Sequence, residues 1–161
     1  LYFGYHAAEM LNTKQKCWKN QAIPSASFFV QKDNGGVCIC FDPFFFVNYV
    51  SLVVLQDKVY PLLQEAEMIV LASPIYYHHF SGQLVCAMNR IYALDKPQKL
   101  KKAALIMSSG SDHVYSGAIF TYQNSFLNYL HLEDMGIFSV YGEDNDMKSK
   151  LNELRDFGQS L

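Results

Sequence analysis

At 161 residues the chain has the length of one ordinary domain, and because half of it is hydrophobic and only 17% is charged, intrinsic disorder is excluded. Its 13 basic and 15 acidic residues leave a formal net charge of -2 without a long single-sign block, so a nucleic-acid partner, which normally needs a basic patch, is not expected. A single domain over residues 1–161 is expected, although residues 1–58 and 59–161 are patterned differently.

In chain order, LYFGYHAAEMLNTKQKCWKN (Leu1 to Asn20) is compatible with a short helix, and SASFFVQKDNGGVCIC predicts a hairpin or loop around Asn34-Gly35-Gly36. Phe41 to Leu55, FDPFFFVNYVSLVVL, is the most apolar stretch, and its β-branched and aromatic content favours strand without an alternation that fixes a face. Asp42, Pro43 and Asn48 interrupt it, and it falls short of the ~20 apolar residues of a membrane span, so membrane insertion is not expected.

From Val59 onward helical and strand patterns alternate. VYPLLQEAE reads as a helix end feeding a strand over Met68 to Ala72; a loop from Ser73 to Phe80 follows, and a helix then starts near Ser81 with Leu84, Met88, Ile91 and Tyr92 on one face. Cys86 falls inside that apolar pattern and is expected to be buried. AALIMSS is the next strand. After the loop GSDHVYSG, Ser116 is the expected N-cap of a helix whose inner face carries Ile119, Tyr122, Phe126 and Leu130. GIFSVYG, bounded by glycines, is a third strand, and Asn145 or Asp146 is expected to cap a last helix with Met147, Leu151 and Leu154 inward. This order predicts right-handed crossovers and a parallel, doubly wound sheet.

In such sheets ligands bind outside the carboxyl ends of the strands. Two loops there are unusual. LASPIYYHHFSG leaves a buried strand through Pro74 and then sets Tyr76, Tyr77, His78 and His79 at the exit; the second loop, from Ser108 to Tyr115, offers small hydroxyls and Gly110, where main chain can approach a ligand closely. If adjacent, the two wall one crevice suited to a planar, partly polar ring system. No metal is expected, because His78 and His79 lack further ligands at convincing spacing, and Cys17, Cys38 and Cys40 are too sparse for an iron–sulfur cluster. With no legible secretory signal, the four cysteines point to a reduced, cytoplasmic setting.

EAEMIVLASPIYYHHFSGQLVCAMNRIYAL, KLKKAALIMSSGS, LEDMGIFSVYG and the ending LRDFGQSL, in this order, resemble the flavodoxin-like NAD(P)H-dependent FMN reductases, including their iron–sulfur flavoprotein branch, from about Leu55 to the C-terminus. The resemblance implies a flavodoxin-like three-layer α/β sandwich with a parallel sheet, incomplete or irregular in its N-terminal part. It further implies an FMN cofactor and NAD(P)H as co-substrate, electrons passing from a nicotinamide through flavin to a small acceptor such as a quinone, free flavin or another electrophile, and a homodimer. By the same resemblance Ser73, Pro74, Ile75, Tyr76 and Tyr77 lie along one side of the flavin ring, and Ser108, Ser109, Gly110 and Ser111 close the other. Such proteins normally begin with a strand and a Gly/Ser/Thr-rich phosphate loop. Nothing in Leu1 to Asn20 matches it, and the family's usual Asp-Arg is Asn89-Arg90 here, so a truncated member with an inserted or misread segment near residues 21–55 is also expected. Two rivals to the enzyme are a family remnant that binds no flavin and serves at most as an interaction domain, and a nucleotide or quinone binder without hydride transfer.

Overall fold

The computed structural model describes residues 26–32, 35–41, 59–92, 94–142 and 148–160, the first two segments by the course of their main chain. Ala26–Lys32 (β1) and Gly35–Phe41 (β2) form the hairpin expected from Asn34-Gly35-Gly36, antiparallel from Lys32↔Gly35 to Ala26↔Phe41. After a short helix Tyr60–Glu65 (α1), whose first turn holds Pro61 where a missing N–H costs nothing, the chain enters Met68–Tyr76 (β3). A two-residue turn leads to His79–Phe80 (β4), then come Gly82–Tyr92 (α2), Lys102–Ser109 (β5), a helix over residues 116–130 (α3), Glu133–Tyr141 (β6) and Lys148–Ser160 (α4). The readings on Leu1 to Asn20, on residues 42–55 and on Asn145, Asp146 and Met147 fall outside the described residues.

Along the sheet the strands run β2-β1-β3-β5-β6, with β4 attached to the end of β3. β3, β5 and β6 are parallel, as the alternation predicts. At the edge the expectation is corrected: β1 pairs antiparallel with β3, Ser27 opposite Ala72 and Gln31 opposite Met68, so the sheet as a whole is mixed. The short hairpin connection is the cause, since it forces β1 and β2 to run in opposite directions and only one of them can match β3.

Two apolar layers sandwich the sheet. Ile69 and Leu71 of β3 and Ala103, Leu105 and Met107 of β5 point to α1, α2 and α3, while Met68, Val70, Ala72, Ala104 and Ile106 point the other way, to Leu154 of α4. Both crossover helices, α2 and α3, lie on one face because both connections step the same way along the sheet. Strands buried on both faces need continuous apolar runs, which is what MIVLA and AALIM supply. Burying each of Leu71, Leu105 and Met107 contributes about 1.5–3 kcal/mol.

Several boundaries and faces differ from the sequence expectation. In α2, Leu84, Ala87 and Ile91 are buried and Met88 is half-buried, but Tyr92 and Cys86 are exposed. At 100° per residue Cys86 falls nearly opposite Leu84, and Tyr92 turns outward to stack on Tyr129 with ring centroids 4.6 Å apart. Ser116 is the first residue of α3 rather than its N-cap; Tyr115 occupies the cap position and makes no side-chain cap bond. The inner face of α3 is otherwise as expected, with Tyr122, Phe126 and Leu130 buried and Ile119 half-buried, and its turns widen to π-helix over Thr121–Leu127. Strand β6 begins at Glu133, and Gly136, expected to open it, sits inside it at a bulge between the pairs Ala103↔Asp134 and Leu105↔Ile137. Its φ of +139° explains the glycine.

Candidate functional site at the carboxyl ends of the parallel strands

The register of the sheet brings the two unusual segments side by side. Pro74 of β3 pairs with Ser108 of β5, Ser108 with Val140 of β6, and Ser109 with Tyr141, so three strand ends open onto the same rim.

The first segment is not the loop that the sequence predicts, because β3 continues through Tyr76 and doubles back at once. Ile75 pairs with Phe80 and Tyr76 with His79, and the two residues between, Tyr77 and His78, have φ of 51° and 67°. Positive φ at both central residues defines a type I′ hairpin turn, a site normally given to Asn-Gly. Alternation along the strand end sorts the residues: Ser73 and Ile75 are buried, Pro74 is half-buried, and Tyr76 and Tyr77 are exposed at 54% and 97%. His78 and His79 are exposed as well.

Buried residues at both feet hold this hairpin. Ile75 and Phe80 belong to the main core. The Ser73 hydroxyl donates to the Pro74 carbonyl at 2.7 Å and accepts from the Ser81 N–H at 3.0 Å, while Ser81 caps α2 by accepting from the Leu84 N–H at 3.4 Å. Ser73 thus has its hydroxyl proton and one acceptor position committed within the chain.

The second segment keeps Ser108 and Ser109 half-buried and Gly110 and Ser111 exposed, with open space around Gly110 where a side chain would stand. It is tied down by a residue to which sequence reasoning gave no role. The Tyr115 hydroxyl shares a 2.7 Å hydrogen bond with Ser109 Oγ and donates to the Val140 carbonyl, binding the loop to the end of β6. Burial raises the Tyr115 pKa above that of an ordinary tyrosine, so its phenol is neutral at physiological pH. Tyr141, 40% exposed at the end of β6, adds a third ring to the rim. The available signal for both was their place next to strand ends, in GSDHVYSG and GIFSVYG.

The rim carries exposed aromatic side chains at the ends of β3 and β6 and, between them, the hydroxyls and accessible main chain that follow β5. Such a set suits a flat ring with a polar edge. Asp112 and His113 form an exposed pair at 3.2 Å beyond it. Among the described residues no three His, Cys, Asp or Glu side chains converge as a metal site, and no helix is long and apolar enough to cross a membrane. On the far side of β3 its neighbour β1 is antiparallel, so β1 brings its first residues to this rim, and no strand-to-helix loop flanks β3 there among the described residues.

Comparison with known proteins bears on the family and the fold. Residues 52–146 match the family model described as NADPH-dependent FMN reductase. Among solved structures, the Trp repressor binding protein from Bacillus subtilis is similar with a TM-score of 0.53 at 15% identity, over 99% of this chain and 92% of that one, a likeness of fold. No curated protein matches the chain significantly.

Proposed function

Because the chain belongs to the NADPH-dependent FMN reductase family, whose model spans more than half of its length, we propose that it is an NAD(P)H oxidoreductase that seats FMN at the carboxyl rim of β3, β5 and β6. Family membership brings FMN and NAD(P)H with it. The single observation that supports the site is the pairing of Pro74 with Ser108, which brings the two segments side by side. Pro74, Ile75, Tyr76 and Tyr77 form one wall, with Tyr76 and Tyr77 offering ring faces. Ser108, Ser109, Gly110 and Ser111 form the other, whose hydroxyls and main-chain groups would hold the polar edge of the flavin, and Ser73 would contribute from beneath through main chain. A flavin held there would supply two-electron redox chemistry between a nicotinamide and a second substrate. The chain's own residues would hold it and exclude water from one face, with the neutral phenol of Tyr115 under the second wall. The acceptor belongs to the class of quinones, free flavins or other small electrophiles.

The same reading takes residues 1–161 as one domain working in the cytoplasm as a homodimer, for which the exposed rings of Tyr76, Tyr77 and Tyr141 give an apolar rim. Titrating the purified full chain with FMN, followed by flavin absorbance and fluorescence, tests the proposal. Stoichiometric uptake and FMN-dependent oxidation of NADH or NADPH are expected; a protein that takes up no added FMN overturns it.

A further inference from the structure

The proposed flavin wall rests on a turn that its own sequence does not favour. Type I′ geometry sets Tyr77 and His78 at two left-handed positions, which residues other than glycine occupy only with strain. Something outside the turn must therefore hold it. Ser73 does so at its base, through the bond from the Ser81 N–H to its hydroxyl.

A second support lies under the tip. Gly117 stands in the first turn of α3, and a Cβ there would lie 2.6 Å from the His78 carbonyl oxygen and 3.5 Å from the His78 carbonyl carbon and Cβ. Its φ is not positive, so no backbone conformation demands glycine, and glycine weakens a helix relative to alanine. The close approach of the His78 main chain is the one feature that accounts for it. The contact also joins the two walls, since α3 is the helix into which the Ser108–Tyr115 segment runs. Docking the hairpin tip on its first turn sets the height of Tyr76 and Tyr77 relative to Ser108–Ser111.

From this we infer that Gly117 and Ser73 are positioning residues of the flavin site, clamping the Tyr76–His79 hairpin from tip and base so that its rings face the second wall at a fixed separation. The inference rests on the proposed FMN site. Neither side chain has to touch the flavin. An added methyl at Gly117 pushes the His78 carbonyl away by several tenths of an ångström, and because the obstacle is main chain, no rotamer change relieves it.

The test uses the full chain and three variants, Gly117→Ala, Ser73→Ala and Gly82→Ala. The last is a control, a glycine in the first turn of α2 whose added Cβ meets nothing within 4 Å. Circular dichroism and thermal melting establish which variants are folded; FMN titration gives Kd and the shape of the bound-flavin absorption band; hydrogen exchange of the peptide carrying Tyr76 to Phe80 reports the hairpin without flavin. Folded Gly117→Ala and Ser73→Ala are each expected to weaken FMN by about tenfold, to shift the band and to exchange faster at the hairpin, while Gly82→Ala stays within about twofold of the parent. A purely structural role would lower the melting temperature and leave the band and Kd of the folded protein unchanged, which overturns the inference while the FMN site stands. If Gly117→Ala does not fold, Ser73→Ala alone decides, by the same readings. A parent chain that binds no FMN removes the proposed site and this inference with it, an outcome told apart from the other by the parent titration.

Discussion

Asp134 shows how a single residue can bind two irregularities. Its Oδ1 accepts from the Tyr122 hydroxyl at 3.1 Å and from the Gly136 N–H at 3.0 Å, so one carboxylate joins the π-helical stretch of α3 to the bulge of β6. Tyr122 is wholly buried, and burial together with the nearby Asp134 charge raises the phenol pKa far above the ordinary tyrosine value of 10.0. The two ends of this bond are not equivalent. Truncating the carboxylate strands a hydroxyl in the core, whereas removing the hydroxyl leaves an exposed carboxylate that water can serve. Asp134→Ala is therefore expected to lower the unfolding free energy by about 1–3 kcal/mol and Tyr122→Phe by only about 0.5–1.5 kcal/mol, measured by urea denaturation. Equal costs for the two variants would contradict the asymmetry.

The bulge in β6 illustrates why element boundaries drift from what a sequence displays. GIFSVYG reads naturally as a strand opened by glycine, yet pairing with β5 begins three residues earlier, at Glu133, and Gly136 absorbs the register shift at φ +139°. A side chain there would be strained by that φ and would also meet the Phe138 ring at 3.1 Å. Gly136→Ala is expected to cost about 1–3 kcal/mol in unfolding free energy. The bulge lies at the opposite end of β6 from Tyr141, so FMN affinity of the folded variant should match that of the parent. A loss of affinity comparable to that expected for Gly117→Ala would show that the rim depends on the whole of β6. The hairpin of β3 and β4 follows the same pattern: Tyr77 and His78 carry no turn signature, and the residues that hold the turn, Ser73 and Gly117, lie four residues before it and 39 residues after it.

Taken as a whole molecule, the fold was legible wherever local periodicity and burial coincide. The apolar runs of β3 and β5, the inner faces of α2 and α3, and the parallel direction of β3, β5 and β6 all follow from patterns of period two or 3.6 and from the crossover rule, whereas the adjacency of the two rim segments, conditional in the sequence, is supplied by the register. What was not legible depends on partners distant in sequence: the direction of β1 against β3, the outward turn of Tyr92 onto Tyr129, and the bond from Tyr115 to the end of β6. Burial of tyrosine hydroxyls has a consequence for the entire protein. Tyr115 and Tyr122 both have pKa values raised above 10.0 in the folded state, chiefly by burial, so folded protein holds these protons more tightly than the unfolded chain does. Because both values are raised, the stabilisation is fully present below pH 10.0 and is lost as pH climbs from there through the folded-state values. Urea midpoints should thus be insensitive to these two groups near neutrality and fall increasingly steeply above pH 10.0. In Tyr115→Phe and Tyr122→Phe that alkaline decline should be shallower, even though each variant begins from a lower neutral-pH stability, and parallel curves for parent and variants would show that other groups govern the alkaline transition.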